Sequence, residues 1–399
     1  MSTTIERMLH ELGSKDNPLP TPLYIVNKSV LEENIDQLCA AFRSRFPKFI
    51  FGYSYKTNYA SAVLRIVHEK GGYAEVVSPM ELAHAKRFVP DNRIIYNGVI
   101  QDVKDKAMLA VNGGVVNVEN LTELRRIDDY LRKMDMTASV GVRVNLPMSG
   151  MSVSRFGIEL SPENISIIKE LENVVVSSVH CHVAFNRSLG TWRDKADRMA
   201  QAAKVLGAHT IDLGGRIYGP MNPKLAEQFD CEIPIFQDYA DVLYSVLSHH
   251  YSDADMPTLI VEPGTALISN AQSLLTSVVD IKTVQGRTVC TLDAKKLDIT
   301  VIGESAKTFP YYVINHGGGR VTDASMYGCT CLESDRFVER YSGPLNIGDQ
   351  VLFDNVGAYS NVLSPKFIQG TPGMALYEGK RFVCAKRADM YDTFFGEYQ

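Results

Sequence analysis

Cysteine is scarce in this 399-residue sequence: seven residues, an odd number, scattered at positions 39, 181, 231, 290, 329, 331 and 384. That excludes a disulfide framework in a chain of this length. Charge of one sign is not in excess either, since 41 Lys and Arg stand against 46 Asp and Glu for a net charge of -5. Nothing in that balance favours nucleic acid or an anionic membrane as a partner, while small polar or anionic ligands stay open. No apolar run reaches membrane-spanning length, and residues 1–18 lack the charged-then-apolar layout of a signal peptide, so a cytoplasmic location is expected. Internal repeats and low-complexity segments are absent too. With 45% hydrophobic and 22% charged residues, the composition is that of a globular protein with room for two domains.

Two close pairs invite a metal reading. Alternate residues of a strand share a face, so Cys329-x-Cys331 and His180-x-His182 each read as half of a site. No zinc spacing accompanies either pair, and no metal is expected.

What the chain does have is a stretch that organises the rest, Phe49-Ile-Phe-Gly-Tyr-Ser-Tyr-Lys-Thr-Asn58. It reads as a buried aromatic strand closed by one lysine and followed by a helix. At the end of an apolar strand, burial lowers a lysine's pKa and leaves a nucleophilic amine that forms Schiff bases. The structural alternative is a lysine that snorkels to the surface.

Around it, strands and helices alternate. A short strand at 21–27 and a helix at 29–42 come first. Eight strands follow, beginning with the lysine stretch and continuing at 73–77, 93–97, 114–118, 138–145, 174–183, 209–213 and 258–262. Helices at 60–69, 81–88, 119–134, 161–171 and 191–206 separate most of them. Eight such units over this length predict a (β/α)8 barrel spanning 28–265. An open doubly wound sheet would need a glycine-rich turn after its first strand, where this chain has Tyr-Lys-Thr-Asn. Beyond Thr265 the pattern becomes short alternating runs at 273–281, 288–292, 311–315, 350–353 and 382–385, broken by Gly, Pro and Asp/Asn turns. These predict a second, all-β domain made of 266–399 with 1–27. By spacing alone the strand at 21–27 fits either unit.

Functional groups of such barrels lie at the C-terminal ends of the strands. The polar residues there are Lys56, Glu75 with Ser78, Asn97, Arg143 with Asn145, His182, Gly214-Gly215 with Arg216, and Glu262. Singly, each has a structural explanation as a cap or a satisfied core group. Together they suit a ligand with an anionic end, a ring and a carbonyl, its anion placed at the Gly214-Gly215 and Glu262-Pro-Gly264 loops after the last two strands.

These residues carry a resemblance over nearly the whole chain to the fold-type III pyridoxal-phosphate decarboxylases, which include ornithine, diaminopimelate and carboxynorspermidine decarboxylases. Tyr53-Ser-Tyr-Lys56-Thr-Asn58 resembles the family's Tyr-x-x-Lys-x-Asn, and implies that Lys56 forms the Schiff base with pyridoxal 5'-phosphate. By the same resemblance Glu75 lies near the cofactor, His182 stacks on its ring and Glu262 of Glu-Pro-Gly264 pairs with its nitrogen. Gly214, Gly215, Arg216, Gly264, Thr265 and Tyr359 are then cofactor-binding. Gly328-Cys-Thr-Cys331-Leu-Glu-Ser-Asp335 is similar to the motif that enters a neighbouring subunit's site. Cys331 is implied as the acid, Cys331, Glu333 and Asp335 as substrate contacts, and a homodimer with shared sites as the assembly.

There are departures. Thr265 replaces a phosphate-binding arginine, Arg216 replaces a third glycine, and His182-Val-Ala-Phe185 replaces His-x-Gly-Ser. Leu332 stands where ornithine- and diaminopimelate-type enzymes place the acid that holds a distal amine. The expected activity is α-decarboxylation of an amino acid or amino-acid conjugate other than plain ornithine. An amino-acid racemase, which would oppose the lysine with a tyrosine base, and a non-catalytic cofactor-binding homologue are the alternatives.

Overall fold

The computed structural model describes residues 3–14, 18–148, 153–184, 186–299, 308–315 and 317–396. A first strand, β1 (Leu23–Asn27), precedes eight parallel strands that close on themselves. These are β2 (Phe49–Ser54), β3 (Tyr73–Val76), β4 (Ile94–Tyr96), β5 (Val115–Val118), β6 (Ala138–Arg143), β7 (Val174–His180), β8 (Thr210–Asp212) and β9 (Thr258–Val261). Closure is the pairing of β9 with β2, in the register Phe49↔Leu259, Ile50↔Ile260 and Phe51↔Val261. Strands covered on both faces need apolar residues at consecutive positions. Accordingly Leu259, Ile260 and Val261 are all fully buried.

The surrounding helices are set by local signals. The helix Leu189–Leu206 starts at Ser188, whose side chain accepts from Thr191 N, and ends at Gly207 in the left-handed conformation, which glycine adopts without steric cost. Its Trp192, Ala196, Met199, Ala200 and Ala203 face the barrel and are buried.

After β9 the chain enters a nine-stranded sheet. Its strands are β10 (Gln272–Val284), β11 (Arg287–Leu292), β12 (Tyr311–Ile314), β13 (Arg320–Tyr327), β14 (Arg336–Pro344), β15 (Gln350–Phe353), β16 (Gly373–Tyr377), β17 (Phe382–Lys386) and β1. β1 lies antiparallel to β10 and parallel to β16, so the strand whose membership spacing left open lies in this sheet. The architecture is therefore a closed parallel barrel with a mostly antiparallel β-sheet.

Several elements escape sequence patterning. Residues 3–13, read as polar leader, form the helix Thr3–Gly13, whose Met8 and Leu12 are 2% exposed against Leu23, Ile25, Leu275 and Leu352 of the sheet. Each such side chain contributes roughly 1.5–3 kcal/mol by leaving water. Helices Val103–Val111 and Phe236–Leu247 and strands β13, β14 and β16 were likewise not marked. β13 and β14 are interrupted by several register shifts, which break the strict alternation a strand prediction relies on. Among the described residues, no helix is long and apolar enough to cross a membrane.

Candidate active site

Lys56 follows β2 in a single 3-10 turn, Tyr55–Thr57. Its Nζ lies 2.6 Å from Glu75 Oε2 and 3.2 Å from Ser54 Oγ, and its side chain is 35% exposed. Burial alone would lower the amine's pKa, yet the carboxylates of Glu75 and Glu262 outweigh it and hold the ammonium above its ordinary value. The expected depression is thus reversed, because the strand end carries two anions that an apolar reading of the strand does not count.

From Glu75 a chain of amides crosses the barrel. Asn97 Nδ2 donates to Glu75 Oε1 (3.0 Å) and to Glu262 Oε1 (2.5 Å). Asn117 Nδ2 donates to Asn97 Oδ1 (2.8 Å) and to Asp212 Oδ2 (3.0 Å). Glu75, Asn97, Asn117, Asp212 and Glu262 are each at most 4% exposed. Despite burial, Glu262 is held well below the usual carboxylate range by His180 and by Lys56. Its Oε2 is 3.7 Å from His180 Nε2.

The amides of the first glycine loop have partners of their own. Gly214, at φ +61, donates its N–H to Asp212 Oδ1 (2.9 Å), and Gly215 N donates to His182 Nδ1 (3.2 Å). Both amides have partners inside the barrel. What glycine supplies here is space: a Cβ on Gly215 would lie 2.5 Å from Glu262 O, and one on Gly264 only 2.1 Å from Thr57 Oγ1. The His182 ring is half-buried, and burial with the Lys56 charge pushes it well below its ordinary pKa, so it is neutral. Arg216, left-handed at φ +78, lines one cavity with Arg187, Thr265, Ser269, Asn355 and Tyr359. Tyr359 N donates to Thr57 O (2.9 Å), tying the sheet's residue to the lysine turn.

The Cys331 segment lies apart. Cys331, Leu332 and Glu333 are exposed, whereas Asp335 is 4% exposed. Its carboxylate accepts from Lys296 N (2.6 Å), Thr330 N (2.9 Å) and Thr330 Oγ1 (2.6 Å). Asp335 therefore shapes the loop from within. Cys329 donates to Gln369 Oε1 (2.8 Å) and is pushed up to about 11 by burial. Of the other strand-end residues, Ser78 caps the helix Pro79–Ala85, Asn145 holds Ser154 O and Phe156 O, and Arg143 pairs with Glu119 (2.9 Å). These three have structural work. Phe185 lies outside the described residues.

Asn117 and Asp212 were not anticipated. Each is a polar residue inside an apolar strand, Val-Val-Asn-Val and Thr-Ile-Asp-Leu, and that interruption is the signal. Asp212, Glu262 and His180 have donor atoms within 4.8 Å of one another, the spacing of a metal site. Three of the four carboxylate oxygens already accept N–H groups, from Asn97, Gly214 and Asn117. That donor set suits shared protons better than a cation. His182 stays outside the cluster, so the two histidines do not converge as a pair.

Residues 32–269 match the family described as "Pyridoxal-dependent decarboxylase, pyridoxal binding domain". The chain is 25% identical to diaminopimelate decarboxylase of Methanocaldococcus jannaschii, over 93% of this chain and 89% of that protein. The crystal structure of that organism's enzyme with L-lysine superposes with a TM-score of 0.83 at 25% identity, over 94% and 92% of the two chains. Arginine decarboxylase of Paramecium bursaria Chlorella virus shares the fold, with a TM-score of 0.75 at 19% identity over 94% and 100%.

Proposed function

Because this chain belongs to the pyridoxal-dependent decarboxylases, with pyridoxal phosphate as its cofactor, we propose that it releases CO2 from the α-carbon of an amino acid or amino-acid conjugate other than plain ornithine. The observation that carries the reading is the line Lys56–Glu75–Asn97–Glu262, an amine and two buried carboxylates joined by one amide. These residues fit the cofactor. Lys56 supplies the amine for its aldehyde, Glu262 an ionised partner for its ring nitrogen, and His182 a flat neutral neighbour. Gly264 packs directly on Thr57, whose Oγ1 is buried without a partner and is free to meet a polar group of the cofactor. Arg216, Thr265 and Tyr359, which share a cavity, are the groups we assign to the phosphate; the amides of Gly214 and Gly215, which have partners of their own, shape the loop instead.

When bound, pyridoxal phosphate supplies an electron sink for the pair left by departing CO2. Glu75 holds Lys56 in place and Glu262 keeps a proton on the ring nitrogen. Cys331 Sγ returns a proton to the α-carbon. Since Cys331 is exposed on its own chain, we assign it to the site of a second copy. A homodimer in the cytoplasm, with 28–265 as cofactor-binding unit and 1–27 with 266–399 as the β-domain, completes the proposal.

Leu332, 42% exposed beside Cys331, presents hydrocarbon where a bare distal ammonium would seek an acid. The relatives named above head the assay panel: CO2 release is measured from diaminopimelate, arginine, lysine, ornithine and their N-acylated conjugates. Preferred turnover of ornithine would overturn the substrate class, and loss of optical activity without CO2 would favour a racemase. Absence of both, in protein that takes up cofactor, would favour the non-catalytic alternative. Mixing inactive Lys56→Ala and Cys331→Ala chains tests the shared site, since random exchange leaves about a quarter of sites intact. No recovery despite demonstrated exchange would reject it.

A further inference from the structure

Asp212 is fully buried at the end of β8, and no step of the proposed reaction uses it. Its two oxygens accept from Gly214 N and Asn117 Nδ2, and Asn117 passes the line on through Asn97 to Glu262. Asp212 and Glu262 are also direct neighbours, with His180 as the third member of the cluster. Two carboxylates this close and sealed from water do not both ionise. The surroundings decide which one does. Glu262 faces Lys56, His180 and His182, whereas Asp212 faces uncharged donors, with Lys195 and Cys181 behind it and Glu75 across the floor.

We propose that Asp212 is a positioning residue for Glu262: a protonated acid that donates to Glu262 and concentrates the floor's negative charge on the one carboxylate that meets the cofactor's ring nitrogen. Burial, the charge of Glu262 and a hydrogen bond with it all raise the Asp212 carboxyl well above its usual range, which supports the assignment. A neutral acid gives direction as well as charge. Because it donates rather than repels, Glu262 is free to stay ionised at a place where burial alone would protonate it.

The inference rests on the assignment of Glu262 to the ring nitrogen, and the test separates the two. The protein is reconstituted with pyridoxal phosphate carrying 15N in the ring, and the nitrogen's chemical shift and the cofactor Kd are measured. Asp212→Asn, which copies a neutral donor, keeps the wild-type shift and a Kd within about twofold, while Asp212→Ala moves the shift toward the unprotonated ring and raises Kd by about tenfold. If Asp212 instead served as a second anion, Asp212→Asn would move the shift as far as Glu262→Gln does, and that result overturns the proposal. A wild-type shift insensitive to Glu262→Gln would sink the assignment of Glu262 itself. An infrared spectrum of the wild type gives an independent reading, even where a variant does not fold. A buried protonated carboxyl has a C=O stretch apart from the carboxylate bands at neutral pH, and its absence also overturns the proposal.

Discussion

Two lysines reach the C-terminal ends of barrel strands, and they are held in opposite ways. Lys56, about one-third exposed, faces Glu75 at 2.6 Å with Glu262 nearby and stays an ammonium. Lys195, 1% exposed, donates to Leu213 O (2.7 Å) with its amine 3.3 Å from the centroid of the Trp192 ring, and burial drives it down to about 8. The more open lysine is the more firmly protonated one. Burial sets the direction where it outweighs the neighbouring acids, as it does at Lys195 over Asp212 and Glu262. Lys56 is thus poised by its partners, and Lys195 serves as a brace under the strand end that leads into Gly214.

The sharpest test of the contrast is removal of each amine. Lys56→Ala is expected to abolish the near-visible cofactor band and lower kcat by about a thousandfold or more, while Lys195→Met keeps the band. A band that survives in Lys56→Ala would mean that another lysine carries the cofactor, and the comparison would fail.

A second test acts on stability. The Lys195 pKa is about 8 in the fold against an ordinary 10.5, so below pH 8 the amine is charged in both states and the full cost of burying it is present. Between pH 8 and 10.5 the unfolded chain binds more protons, and stability rises with pH by roughly 3 kcal/mol from this group. In urea titrations at pH 8 and pH 10.5, wild type should gain that much over Lys195→Met. No change in the difference between them would reject a depressed Lys195.

The smallest expected effect comes from Glu75→Gln. With one anion removed, the pKa of Lys56 falls, which is visible as a lower midpoint for its reaction with a small aldehyde in cofactor-free protein. An unmoved midpoint would assign the raised pKa to Glu262 alone.

Much of this was legible before any coordinates. Lys56 and Glu262 could be picked out because each ends a run of apolar residues, and the barrel because eight such runs alternate with helical patterns. The helix Thr3–Gly13 was missed although Ile5, Met8, Leu9 and Leu12 stand at helical spacing, because one short stripe among charges becomes decisive only once the sheet offers it a face. The setting of Asp335 was not legible for a related reason. Nothing in the sequence shows that the carboxylate four residues after the cysteine accepts from Lys296 N and Thr330, and only the folded loop brings Lys296 there.

By itself the sequence determined the closed barrel, the order of the strands that end in functional groups, and the lysine, acids and histidine suited to pyridoxal phosphate. Hydrophobic period and chain order are local properties, and they survive in one dimension. Tertiary structure alone decided the charge states. Lys56 stays protonated, His182 neutral, and Glu262 rather than Asp212 ionised, because each outcome sums burial with charges contributed by strands far apart in the chain. Lys56 and Glu262 are neighbours only because β9 closes the barrel on β2, and electrostatics falls with distance in space rather than along the sequence.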